Sequence, residues 1–174
     1  LDYLGEDPLT TCGVENIRQE LIEQPALTDW MSKEDDENTI LQVAFSELIE
    51  GQFPAEIPIC ITEFPKSQAA LAKIDQHNPR VSRRFEFYYQ GVELANGYNE
   101  LADPAEQRLR FDQDNQRRKQ LNLPTQPEDT RLLAALESGF PACSGVALGF
   151  DRLLMIACGA KSITEVLPFS IQTA

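Results

Sequence analysis

The first part of the chain carries apolar residues at helical spacing. Downstream of the acidic stretch SKEDDENTI, apolar side chains from Ile40 to Leu48 recur on one face of a helix, and Gly51 is its expected end. The pattern then changes to β-rich runs bounded by prolines. We therefore predict an acidic helical segment over residues 1–53 and a second unit over residues 54–174.

Alternating β-rich runs in the middle of the chain predict a hairpin. A short run, IPICITEFP, comes first, and RRFEFYYQGVELANGYNEL then reads as two strands joined at a Gln-Gly pair. A two-residue turn at this pair places Tyr89 opposite Val92. The same register places Glu86 opposite Ala95.

This register gives the hairpin one acidic face. Glu86 and Glu93 become diagonal neighbours, roughly 7 to 8 Å apart at the backbone, a gap that a divalent cation can bridge. Strict alternation sends Asn96, Tyr98 and Glu100 to the other face. A bulge at Gly97 would reverse the parity beyond it and return Tyr98 and Glu100 to the face of Glu86 and Glu93. The face is then either a binding floor for a metal and a cationic small molecule, or a solvated acidic surface.

Two helices, a strand and a third helix follow the hairpin. ADPAEQRLRFDQDNQRRKQ begins a helix with Asp103 as its N-cap and Pro104 at the first helical position. Apolar residues after QPED predict a second helix that stops at Gly139. The run SGVAL is too apolar for an edge strand, and DRLLMIACGA predicts a buried helix.

Charge and composition narrow the possible partners. The 174 residues carry a net charge of −13, with 14 acidic and 2 basic side chains in residues 1–60 and 14 and 13 in residues 61–174. Phosphate-backbone binding needs the opposite sign, so nucleic acid is not an expected partner. Four scattered cysteines and one histidine argue against zinc and disulfides, and we expect buried, reduced thiols. We expect a soluble, cytoplasmic chain, since no stretch approaches the roughly 20 apolar residues of a membrane span. Because the sequence begins with Leu1 rather than Met, we also expect it to be truncated.

The segment SGVALGFDRLLM carries the second candidate chemistry. Gly145 and Gly149 permit close approach to the backbone of the apolar strand. Arg152 follows at the start of the next helix, and a fixed guanidinium suits phosphate oxygens or a flat aromatic base. The alternative is an ion pair with Asp151 that closes a strand–helix junction.

These two segments resemble the class II aminoacyl-tRNA synthetases. GVALGFDR is similar to motif 3 of that family, and FEFYYQGVELANGYNEL followed by DPAEQRLRF is similar to the segment before motif 3 in its lysine-specific members. The resemblance extends over nearly the whole chain. It is strongest to a branch that activates (R)-β-lysine with ATP and joins it to a lysine side chain of elongation factor P. It implies an α+β fold in which helices flank an antiparallel sheet.

The resemblance also implies an ATP site with Mg²⁺. Glu93 and Leu94 would contact ATP, and Glu93 and Glu86 would hold Mg²⁺. Gly149 would lie against the nucleotide. Arg152, the expected catalytic residue, would stack on adenine and reach the γ-phosphate.

The amino-acid site is implied in the same way. Glu100 would pair with the ammonium of the lysine-like substrate, and Asn96 and Tyr98 would line its pocket. Ala147 stands where lysyl-tRNA synthetases carry glycine, and its methyl group would reshape the pocket for a β-amino acid.

Motifs 1 and 2 of the family are not visible in the sequence, so we expect the C-terminal part of a catalytic domain. Such a part is not expected to catalyse adenylation unaided, and the full-length enzyme is expected to be a homodimer that does not use tRNA. Two alternatives remain. The chain is part of a true lysyl-tRNA synthetase, or of a non-catalytic paralogue that binds a nucleotide, an amino acid or a partner.

Overall fold

The fold is described from a computed structural model, which covers residues 7–34 and 36–169. The helical segment contains α1 (Thr11–Ile22), α2 (Thr28–Met31) and α3 (Glu37–Ala44), followed by a π-helical turn (Phe45–Ile49) and a 3₁₀ turn (Glu50–Gln52). The rest contains β1 (Ile59–Thr62), β2 (Arg84–Tyr89), β3 (Val92–Asn99), α4 (Pro104–Gln120), α5 (Thr130–Glu137), β4 (Ser144–Leu148) and α6 (Phe150–Ala157).

The four strands form one antiparallel sheet in the order β1-β2-β3-β4. The expected α+β architecture, an antiparallel sheet with helices around it, is confirmed. The predicted start of α4 is also confirmed, because the side chain of Asp103 accepts hydrogen bonds from the backbone N–H groups of Ala105 and Glu106, with Pro104 at the first helical position.

The acidic segment is helical, as predicted, and has a core of its own. Buried apolar side chains from all three helices pack together. The predicted apolar residues take part, since Ile40 and Ala44 of α3 are buried, and Val43 of α3 and Leu48 of the π-helical turn pack partly buried against the cluster. The cluster also contains Val14, Ile17, Leu21 and Met31. Residues 1–6 of the predicted segment lie outside the described residues, and the predicted boundary falls between the 3₁₀ turn and β1.

The hairpin register is partly as predicted. Tyr89 pairs with Val92, but Glu86 pairs with Asn96 rather than with Ala95. The cause is a bulge at Leu94, since Phe87 pairs with Ala95 whereas Tyr88 pairs with Glu93. A bulge is therefore present, but its predicted position at Gly97 is wrong, because Gly97 pairs regularly with Phe85. The bulge at Leu94 lies three residues earlier, so it reverses the parity of the residues beyond Gly97 as the predicted bulge would, and it also brings Asn96 to the face of Glu86.

Two predictions about the last strand and helix are wrong. Within the described part of the chain, β4 is an edge strand, and Val146 and Leu148 are more than half exposed. None of the α6 residues is buried, and Phe150 is 68% exposed. Apolar composition predicts burial, but the described residues that contact α6, those of β3 and of the turn Ile163–Glu165, leave none of its residues buried.

The cysteine thiols are free, but the expectation that they are buried is wrong. Cys12, Cys60 and Cys158 are exposed, and Cys143 is half-buried. In the case of Cys60, the side chain lies on a strand at the outer edge of the sheet, beside β2 only.

Candidate active site

One face of the sheet collects most of the predicted site residues. Residues that pair directly across antiparallel strands point to the same face, and residues two apart on one strand do too. The register therefore puts a single set of side chains on what we call the site face: Ile61, Arg84, Glu86, Tyr88, Glu93, Asn96, Tyr98 and Ala147. The prediction that Glu86 and Glu93 share a face is confirmed.

Glu86 is the most connected acidic side chain of the site face. It is 8% exposed, and its Oε1 accepts hydrogen bonds from Arg84 and, at 3.0 Å, from Nδ2 of Asn96. Its Oε2 accepts one from the hydroxyl of Tyr88 at 2.8 Å. A buried carboxylate is tolerated when donors and an opposite charge surround it, and these three side chains supply both.

Arg84 connects this carboxylate to the loop after β1. Its Nη1 donates to the backbone carbonyl of Gln68 at 2.9 Å, and its guanidinium lies 4.3 Å from the ring centre of Phe64. Stacking on a ring and hydrogen bonding at the edge fix the plane of a guanidinium. The positive charge beside Glu86 is thereby held in place.

Tyr88 joins the site face to the helical segment. Its ring centre lies 5.7 Å from that of Phe45 and 5.5 Å from that of Phe53, at tilted or edge-on angles. Phe45 begins the π-helical turn, a rare element that is frequent at functional sites. Burial, followed by the hydrogen bond to Glu86, raises the pKa of Tyr88, so its hydroxyl stays protonated and donates.

Arg152 and the hairpin converge although they are far apart in sequence. Nη1 of Arg152 donates to the backbone carbonyl of Glu93 at 2.7 Å and lies 3.4 Å from its Oε2. The backbone N–H of Gly149 donates to the carbonyl of Leu94 at 2.8 Å, which extends the pairing of β3 with β4. An added Cβ at Gly149 would lie 3.3 Å from Cδ of Arg152, so the glycine makes room for the aliphatic stem of this arginine. All four residues predicted to contact ATP are thus neighbours.

The predicted amino-acid residues form a second group beside them. Asn96 pairs in register with Ala147, and Tyr98 with Gly145. An added Cβ at Gly145 would lie 2.7 Å from Oε1 of Glu100, so this carboxylate lies directly against the glycine. Glu100 is half-buried, and its carboxylate makes no hydrogen bond or ion pair with any described residue.

The site suits a Mg²⁺ ion held mainly by phosphate. Among the described residues, no cluster of three or more His, Cys, Asp or Glu side chains is placed to hold a metal. Mg²⁺ bound with a nucleotide needs only one or two carboxylates. Glu93 fits this role, since its side chain is 36% exposed and its Oε1 is unpaired within the described chain. Glu86, the second carboxylate predicted to hold Mg²⁺, is 8% exposed, and both of its oxygens accept hydrogen bonds in this structure.

The sequence interpretation missed Arg84 and Tyr88, and it did not connect the helical segment with the site. A signal for the first two was present, because Arg84, Glu86 and Tyr88 alternate along one strand and must share a face. No signal pointed to Phe45 and Phe53, whose approach to Tyr88 depends on how the helices pack on the sheet.

Comparison with known proteins agrees with this geometry. The family model of class II tRNA synthetases for aspartate, lysine and asparagine (D, K and N) matches residues 22–173. The chain therefore belongs to the class II tRNA synthetase family.

Its curated relatives include several proteins named elongation factor P–(R)-β-lysine ligase. The chain is 49% identical over 174 residues to the one from Haemophilus influenzae strain Rd, 50% over 174 residues to the one from Haemophilus ducreyi, and 46% over 172 residues to one from Klebsiella pneumoniae strain 342. These matches cover 99% of this chain but only 51–52% of each relative. The chain thus spans about half the length of the relatives it matches.

Among the described residues, no helix combines the length and the apolar character required to cross a membrane.

Proposed function

We propose that the complete polypeptide containing this chain activates (R)-β-lysine with ATP and joins it to a lysine side chain of elongation factor P. The observation that carries the proposal is the convergence of Arg152 on Glu93, which brings the motif 3-like segment onto the acidic hairpin. The relatives named above support the choice of substrate and acceptor, because they match this chain over nearly its whole length.

The ATP side of the site contains Arg152, Glu93, Leu94 and Gly149. The Arg152 side chain is 48% exposed, so its guanidinium remains accessible to adenine and to phosphate oxygens while it contacts Glu93. Mg²⁺, when bound, neutralises phosphate charge, and Glu93 is the residue that would hold it.

The amino-acid side contains Glu100, Asn96, Tyr98 and Ala147. A half-buried carboxylate without a partner in the described chain is costly, and a substrate ammonium would satisfy it. Glu100 therefore favours a cationic amino acid. Ala147 lies on the site face opposite Asn96, so its methyl group would narrow the proposed amino-acid site.

The chemistry consists of two substitutions. The substrate carboxylate attacks the α-phosphorus of ATP, which forms an aminoacyl adenylate and releases pyrophosphate. The neutral amine of the acceptor lysine then attacks the adenylate carbonyl, which forms an amide and releases AMP. Alignment and charge neutralisation drive the first step, so the site needs no histidine near the reacting atoms.

Pyrophosphate exchange by the complete polypeptide tests the activation step. Exchange that depends on (R)-β-lysine is expected, and Arg152→Ala should lower it by about a hundredfold or more, since removal of one charge-stabilising donor has effects of that order. Arg131→Ala is the matched control, because Arg131 is exposed on α5 and makes no ion pair with the described residues. Equal exchange rates in Arg152→Ala and the wild type would contradict the role of Arg152.

Transfer is tested by incubating the complete polypeptide with ATP, (R)-β-lysine and elongation factor P, and measuring the mass of the factor. A mass increase of one β-lysine residue supports the proposal. Charging of tRNA instead would identify a lysyl-tRNA synthetase, which the same family model also describes. Absence of any exchange or transfer would favour a paralogue that only binds its ligands.

The proposal also includes the oligomeric state and the cellular location of the complete enzyme. We infer a homodimeric enzyme that works in the cytoplasm, where elongation factor P and ATP meet. Its acceptor is a protein rather than tRNA, in line with the net charge of −13 on this chain.

A further inference from the structure

We propose that the helical segment positions the amino-acid site through a relay of contacts that runs from Phe45 through Tyr88 and Glu86 to Asn96. Only the kinetic test of this relay rests on the function proposed above. In this relay, Tyr88 is a positioning residue. The acidic helices, which the proposed chemistry does not otherwise use, support the substrate pocket.

The relay begins with three aromatic rings. Phe45, Phe53 and Tyr88 contact one another with ring centres 5.5 to 5.9 Å apart. Because Tyr88 is only 6% exposed, its ring cannot turn without displacing its two neighbours. The helical segment therefore determines where the Tyr88 hydroxyl lies.

The hydroxyl then fixes one oxygen of Glu86. A cavity of about 920 Å³ lies between the helical segment and this edge of the sheet, and its lining includes Phe45, Ile49, Ile61 and Glu86. Because Glu86 borders open space on this side, packing alone does not hold its carboxylate. Its orientation depends on hydrogen bonds, and Tyr88 supplies the only one that reaches Oε2 from the described residues.

The carboxylate in turn fixes the amide of Asn96. An ionised carboxylate only accepts hydrogen bonds, so the amide must direct Nδ2 toward Glu86, as it does at 3.0 Å. Oδ1 of Asn96 is left buried and without a partner among the described residues. A buried acceptor of this kind costs free energy, and a donor on the ligand would relieve the cost once the pocket opens to it.

Tyr88→Phe in the complete polypeptide tests the relay because it removes the hydroxyl and keeps the ring. The KM for the lysine-type amino acid in pyrophosphate exchange should rise about tenfold, the order expected for a lost charge-assisted hydrogen bond, while the KM for ATP stays within twofold. Tyr89→Phe is the matched control, because the neighbouring ring faces away from Glu86 and its hydroxyl makes no hydrogen bond with the described residues.

The contribution of the helices is tested by Phe45→Leu, which should raise the same KM about threefold. Ile17→Val removes a methylene from the helical core at a residue outside the aromatic trio, and it should leave this KM unchanged. An equal rise in both variants would mean that general loosening, rather than the contact with Tyr88, is responsible.

Side-chain amide NMR signals of Asn96, assigned by their loss in Asn96→Ser, give a readout that does not need catalysis. They should shift in Tyr88→Phe and stay in place in Tyr89→Phe. Unmoved signals, or an unchanged amino-acid KM in Tyr88→Phe, would overturn the relay. If the wild type shows no amino-acid-dependent exchange, the proposed function fails, and the NMR signals alone decide the relay.

Discussion

Two glycines of the sheet have different neighbours and therefore different roles. Gly97 lies under the ring of Phe85, and an added Cβ would be 2.4 Å from two ring carbons. Gly145 lies against the carboxylate of Glu100, the end of a flexible side chain. The first glycine is required by packing, whereas the second is required by the position of a proposed substrate-binding group.

Alanine at these two positions should separate stability from binding. Gly97→Ala is expected to lower the free energy of unfolding by about 1–3 kcal/mol, because overpacking displaces the Phe85 ring. Gly145→Ala should change it by less than about 1 kcal/mol, since Glu100 can move aside, but should raise the amino-acid KM about tenfold. Urea unfolding and pyrophosphate exchange measure the two effects.

Gly51→Ala is the control for both variants, because an added Cβ there meets no atom within 4 Å and the backbone is not left-handed. A Gly145→Ala variant that loses stability but keeps its amino-acid KM would show that Glu100 does not serve the substrate.

At the scale of elements, the loop before β2 is organised by one carboxylate. Asp75 accepts hydrogen bonds from the backbone N–H groups of Asn78 and His77, and from the guanidinium of Arg83. These contacts, that of Asn78 first, lower the pKa of Asp75 from 3.8 to about 2. The ionised form is thus favoured in the folded chain.

A carboxyl group whose pKa is lowered by folding stabilises the folded state at pH values above its pKa in the unfolded chain. This stabilisation is lost as the pH falls through its pKa in the folded chain. For Asp75 this window runs from about pH 4 down to about 2. Asp75→Asn keeps an acceptor oxygen but no charge, so its melting temperature should fall less steeply across this window than that of the wild type.

Thermal unfolding monitored by circular dichroism at pH 2 to 5 measures the difference. Asp112→Asn is the control, since Asp112 on α4 is exposed and makes no hydrogen bond with the described residues. Parallel pH curves for Asp75→Asn and the wild type would show that the loop contacts do not favour the ionised carboxylate in solution.

At the scale of the whole molecule, polar contacts connect the helical segment to the rest. Asp7 pairs with Arg80 at 2.7 Å, and Asp36 pairs with Arg117. The aromatic trio adds an apolar contact at Tyr88. The opposite edge of the sheet differs, because β4 and α6 expose their apolar side chains in the described part of the chain.

An exposed apolar edge strand promotes association, so the isolated 174-residue chain should self-associate as its concentration rises. Val146 is 59% exposed on β4, and Val146→Lys should reduce the associated fraction by placing a charge on the edge. Sedimentation velocity over a concentration series measures this fraction.

Thr125→Lys adds the same charge in an exposed loop and should leave association unchanged. If Thr125→Lys lowers the associated fraction as much as Val146→Lys does, net charge rather than the β4 edge controls association. A wild-type chain that sediments as a monomer at every concentration would contradict the prediction.

Much of the local structure could be predicted from the sequence because its causes are local. The Asp103 cap, the Gln-Gly turn and the helical spacing around Ile40 each depend on residues a few positions apart. The bulge could be inferred but not placed. Gly97 is the residue that signals one, yet the extra residue is Leu94, because the pairing partners of β3 decide which residue is left out.

The sequence by itself determined the types of the main elements, the acidic helical segment and the residues that resemble the synthetase family. It did so because periodicity, capping and motif order are written in neighbouring residues. Only the tertiary structure decided that Arg152 reaches Glu93, that three donors enclose Glu86, and that Phe45 supports Tyr88. Contacts between distant segments depend on how layers pack, and no local pattern in the chain encodes that packing.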